Sequence, residues 1–136
     1  MKPHVYCVLA MSAIITTATS LAISAEMNCP GASGIARTEC LTAQLQSSES
    51  DLRQTYLRML ASVDASSYVP RDKRIEWKKQ IKAAHNAWLQ YRDIECKAIV
   101  PFLWWGGSGT GGAVVDCLLI KTKSRIAELR DAYRIK

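Results

Sequence analysis

Cysteine carries the clearest chemistry in this sequence of 136 residues. Five cysteines are present: Cys7 near the start, then Cys29, Cys40, Cys96 and Cys117. The last four do not suit a metal. No two lie two to four residues apart, and His85 is the one histidine past the first segment. Disulfides are the chemistry that remains, and an even count in an exported chain suits them. General acid–base work has poor candidates. Asp93 and Glu95 are two positions apart, so on a helix they point about 200° apart and cannot act as a catalytic carboxylate pair. His85 is expected on the polar side of its helix, with no nucleophile motif beside it. The run Gly106-Gly107-Ser108-Gly109-Thr110-Gly111-Gly112 lacks the lysine of a phosphate-binding P-loop. The sequence therefore reads as non-catalytic, with no cofactor and no metal.

Two sets of residues could instead bind a partner. The first is the aromatic pair Trp104 and Trp105, followed by Gly107 and Ser108. Tryptophan anchors interface hot spots; Arg92, Ser108 and the loop N–H groups would add hydrogen-bond donors. The second is a basic stripe, Arg71, Arg74, Lys78 and Lys82, flanked by Lys73 and Lys79. Such a stripe suits an anionic envelope polymer or an acidic protein. Nucleic acid fits poorly, because no aromatic platform interleaves the stripe.

The elements that must position these groups are helical. Met1 to Ala25 reads as a secretory signal peptide, with Lys2 at its start, an apolar core and small residues up to Ala25. The apolar run is short for the ~20 residues a bilayer demands, so no stable membrane span is expected after cleavage. Cleavage after Ala25 leaves residues 26–136 as one domain, periplasmic or secreted. The net charge of +6 becomes +5 when Lys2 leaves, so anionic partners are favoured weakly at long range. A first helix is expected from about Ile35 to Val63, capped by Ser33. Leu41, Leu45, Leu52, Tyr56, Met59, Leu60 and Val63 form its apolar face, and Ser48 fills the gap in that stripe. Glu49 and Arg53 should pair on the outer face. A second helix, about Asp72 to Ile99, presents Trp77, Ile81, Ala84, Trp88 and Tyr91. Glu95 falls on the same face and needs a partner, with Arg92 and Arg125 the candidates. Pro101 should end that helix or lie just past its end. A glycine loop then runs to Gly112, and a third helix spans Ala113 to Tyr133. No internal repeat or strand-like alternation of useful length interrupts this pattern. The expected fold is all-α, a small three-helix up-down-up bundle stapled by two disulfides.

Four cysteines allow three pairings, and residue counting alone does not choose. Eleven residues of continuous helix would hold Cys29 and Cys40 about 16 Å apart. Pairing them requires the segment before the first helix to fold back, which Pro30, Gly31 and Gly34 permit. A hairpin would bring Cys96 and Cys117 side by side. Cys29–Cys40 with Cys96–Cys117 is the favoured arrangement.

One set of these residues also resembles a family. Cys29, Glu39-Cys40, Tyr56, then Trp88-Leu89-Gln90-Tyr91-Arg92-Asp93 with Cys96, then Gly106-Gly107-Ser108, Cys117, Thr122, Arg125 and Leu129 are similar to the LprI-like pattern. The family takes its name from lysozyme inhibition. The resemblance implies a small exported helical domain and lysozyme as the protein partner. Structural roles are expected for Trp88, Asp93, Glu95 and Arg125. The Trp104-Trp105 pair and the second glycine pair, Gly111-Gly112, fall where family members vary.

Overall fold

Leu41, Leu45, Ser48, Leu52, Thr55, Met59 and Val63 are buried at spacings of three and four, and this stripe builds helix α1, Gly34–Asp64. The computed structural model describes residue 29 and residues 31–134; the leader expected over 1–25 lies outside them. Helix α2 spans Arg71–Asp93 and runs directly into a π-helical segment, Ile94–Ile99. A short helix α3, Val100–Leu103, follows, and α4 spans Thr110–Tyr133. The three long helices form the expected all-α bundle. Among the described residues, none of the helices is long and apolar enough to cross a membrane.

Both disulfides form as favoured. Cys29 joins Cys40 with Cα atoms 6.1 Å apart, and Cys96 joins Cys117 at 5.5 Å. The fold-back before α1 is a tight turn in which Ala32 N–H donates to the Cys29 carbonyl, with Gly31 at φ +73°. Ser33 occupies the N-cap position, but its hydroxyl caps nothing.

Several expectations need correction. Pro101 lies just past Ile99, where the π-helical continuation of α2 ends, but it does not stop the helical path, which runs on through α3 to Leu103. In an α-helix the proline ring would collide with the carbonyl four residues back. The π segment just ahead shifts the bonding register, with Val100 N–H reaching Glu95, and this accounts for the uninterrupted path. The glycine loop is shorter than expected, because Thr110 to Gly112 already belong to α4. Gly112 lies there because α1 comes close: a Cβ on it would sit 3.3 Å from Thr38 Oγ1. The inward face of α2 is also rotated. Trp77 and Tyr91 are exposed, while Ile81 and Arg92 are buried and His85 and Trp88 half-buried. His85 is not on the polar side; its ring stacks on Tyr56 at 4.1 Å.

Arg92 explains the rotation. The core has two apolar clusters, one around Leu41, Leu45, Cys96 and Leu119, the other around Leu52, Met59, Val63 and Ile126. Buried Ser48 on α1, Thr122 on α4 and Arg92 on α2 lie between them in register. Arg92 Nη1 donates to Thr122 Oγ1 at 3.0 Å and pairs with Glu49 at 3.3 Å. Its Nε and Nη2 both donate to Asp93 Oδ1, at 3.1 and 3.0 Å. Its guanidinium lies 5.5 Å from the Trp88 ring, as Arg125 does at 5.7 Å. Glu49 therefore turns to Arg92 rather than Arg53, and Glu95 takes neither arginine: Arg125 pairs with Glu128.

This layer makes a testable contrast. Removing a buried cation from a hydrogen-bonded network costs about 3 kcal/mol, whereas a half-exposed carboxylate contributes under about 1 kcal/mol. Arg92→Ala should therefore destabilise the chain several times more than Glu49→Gln in urea titrations with equal m-values. Equal losses would contradict the assignment of Arg92 as the keystone.

Candidate functional site

The end of the bundle beyond the Cys96–Cys117 bridge is unusual for its surface. Ile99 is 47% exposed, Phe102 76%, Leu103 73% and Trp105 93%. The run from Ile99 to Trp105 is apolar throughout, yet the fold turns most of it to solvent. Exposed runs of this kind mark interaction sites when a stable fold retains them.

The loop that carries it is built from tight turns. Gly107 N–H donates to the Trp104 carbonyl at 2.8 Å, closing a four-residue turn. Its central residues, Trp105 and Gly106, have φ of 48° and 71°, as a type I′ turn requires. Gly106 meets that demand without strain. Trp105 does not: a bulky side chain in the left-handed region costs about 1–2 kcal/mol, and such strain tends to persist where it serves a site. Thr110 closes the next turn, donating from N–H at 3.0 Å and from its hydroxyl at 2.7 Å to the Gly107 carbonyl. Trp104 folds back over Gly109, where a Cβ would stand 2.4 Å from the ring. Glycine is thus required at 109 for Trp104 to lie against it, while Trp105 projects as the most exposed of the apolar run.

Beside the loop, an open groove of about 1210 Å³ runs between the start of α1 and the start of α4. Leu103, Trp104 and Ser108 form one wall, and Ile35 and Thr38 the other. Among the described residues, no group of three or more metal-ligating side chains converges.

Comparison with known proteins gives this architecture a place. The family model described as lysozyme inhibitor LprI matches residues 28–129. The chain belongs to the LprI family. A relative, an uncharacterized protein of Rhizobium meliloti (strain 1021), is 29% identical over 95 residues, covering 68% of each chain. No solved structure matches.

The LprI-like residues divide into two groups in space. Trp88, Arg92, Asp93, Thr122 and Arg125 build the polar layer inside the bundle. Gly106, Gly107 and Ser108 lie in the exposed loop with Trp104 and Trp105. Arg92, which the sequence reading grouped with the loop as a donor, sits apart from it with a side chain only 8% exposed and its donors engaged. The basic stripe is partly occupied too. Arg74 donates to the Ser66 and Val69 carbonyls, both at 2.7 Å, and Lys78 pairs with Asp64 at 2.6 Å. These contacts secure the α1–α2 connection. The sequence reading missed Ile99, Phe102 and Leu103, although seven consecutive apolar residues before a glycine pair were a visible signal.

Electrostatics at the second cluster set a pH dependence. Burial lowers the pKa of His85, and the charges of Arg125 and then Arg92 lower it further. At Asp93, burial pushes upward, but hydrogen bonds from Lys97 and Arg92 outweigh it and hold the carboxyl below its usual value. The folded state therefore favours neutral His85. Its contribution is complete above the unfolded value near 6.5 and is lost as pH falls through the lower folded value. Thermal melts should show stability declining below about pH 6.5, with a shallower decline in His85→Phe. An unchanged slope would contradict this.

Trp105 gives a second expectation. Trp105→Gly relieves the strained φ and surrenders almost no buried area, so stability should hold or rise by up to about 1 kcal/mol. A loss above about 1 kcal/mol would mean that the side chain serves the fold.

Proposed function

We propose that this chain is an exported, non-catalytic inhibitor of lysozyme-like muramidases, and that the aromatic end at residues 99–109 enters the enzyme's substrate cleft. Membership of the LprI family supplies the activity class. Two disulfides fit an oxidising compartment, and export through a leader cleaved after Ala25 completes that picture. The observation that carries the cleft reading is Trp105, 93% exposed on a strained turn. Muramidase clefts hold two carboxyl groups flanking a sugar site. An indole plane suits the sugar site, and the Ser108 hydroxyl, with those loop N–H groups that the turns do not engage, supplies the donors for the carboxyls. The loop is anchored by a bridge at its base, which lowers the ordering cost of insertion.

Long-range charge works against this complex. Animal lysozymes are typically basic, and the chain keeps a net charge of +5 once Lys2 leaves with the leader, so steering is repulsive and affinity must come from contact. The envelope-polymer reading through Arg71, Arg74, Lys78 and Lys82 loses ground, because Arg74 and Lys78 already serve the α1–α2 connection.

A turbidity assay on bacterial cell walls with hen egg-white lysozyme tests the reading. The native chain should slow clearing. Trp104→Ala with Trp105→Ala should lose at least about tenfold in potency, the loss of a hot spot, while Arg71→Glu with Lys82→Glu should not lower potency and, by weakening the charge repulsion, should hold or raise it. No slowing at micromolar native protein removes the reading for that lysozyme class.

A further inference from the structure

We infer that the groove beside the aromatic loop is an acidic receptor for a cationic side chain, an arginine or lysine, of the protein that the loop engages. The inference rests on the inhibitor reading above and adds a second, electrostatic contact to it. Three charged residues line the groove: Arg37, Glu39 and Asp116. Two are acidic and one basic, so the groove is locally negative on a chain that stays net positive with or without its leader.

Asp116 is the incomplete group. Its Oδ1 is buried without a hydrogen-bond partner, and its Oδ2 lies 3.9 Å from Arg37 Nη2, at the limit of an ion pair. Both side chains are partly exposed, at 32% and 47%, and so loose a pair contributes little. An incoming cation can displace Arg37 and give Asp116 the close donor it lacks. The walls strengthen that contact. Trp104, 49% exposed, offers a ring face to a guanidinium or ammonium, and Leu103 and Ile35 offer apolar surface to the stem of that side chain. A basic partner is therefore repelled at long range by the whole chain and held at short range by this groove.

The test is titration of the native chain and single variants with hen egg-white lysozyme, read by surface plasmon resonance. Asp116→Asn should weaken binding about tenfold, the scale of one charged hydrogen bond. Glu39→Gln should weaken it less, and this exposed position gives a check that does not depend on how Asp116→Asn folds. Arg37→Gln should tighten binding, because it frees Asp116; a groove for anions would give the opposite sign. If the Trp104→Ala, Trp105→Ala double variant loses binding while the acidic variants match the native chain, or if Arg37→Gln weakens binding, the inference falls and the inhibitor reading stands. If the native chain does not bind at micromolar concentration, the inhibitor reading falls and this inference with it.

Discussion

The Cys96–Cys117 bridge is the constraint on which the rest of this structure turns. It bolts the π-helical continuation of α2 to α4, with Cys96 fully buried. Closing a segment of this length is worth about 3 kcal/mol in the chain-entropy model. That stabilisation replaces burial. A helical end held only by its own apolar contacts would have to turn Ile99, Phe102 and Leu103 inward. A covalent tie at the base lets them face solvent. The residues beyond the bridge are therefore free to be selected for contact with another molecule.

A similar division of labour runs through the bundle. One apolar cluster surrounds the bridge and the other closes the far end, and Arg92 sits between them with Ser48 and Thr122. An apolar residue in place of a buried arginine is often as stable or more so. What Arg92 adds is geometry. Its guanidinium has acceptors on α1, α4 and its own helix, so only one rotation of α2 satisfies all of them. That rotation aims Cys96 at Cys117 one turn later. The Trp88…Arg92-Asp93 motif thus serves to hold the bundle in register.

Much of this was legible in the residues alone. The apolar stripe of α1 is strict, so the ends of α1 and α4 fell within a few residues and most of the α1 face matched, with buried Thr55 the residue it missed. Reach and hairpin geometry favoured the cysteine pairing that formed without excluding the other two. The face of α2 was not legible, because Trp77 and Tyr91 are as apolar as any core residue and arginine is expected outside. Only the acceptors on other helices reverse that preference, and they are remote in sequence. The same holds for the groove. Arg37 and Asp116 stand at the starts of different helices, and nothing in their local context announces that they meet. Trp105 lay between the two cases: its type was noticed, but its left-handed backbone depends on the turn that Gly107 closes.

The claim that matters most is that the aromatic end, presented by the bridge, is what touches the partner. Hydrogen exchange of the native chain, with and without hen egg-white lysozyme, addresses it directly. The account predicts that amides in residues 99–112 and the opening turns of α1 become protected on binding. Protection confined to residues 71–82, with the aromatic end exchanging as freely as before, would contradict it.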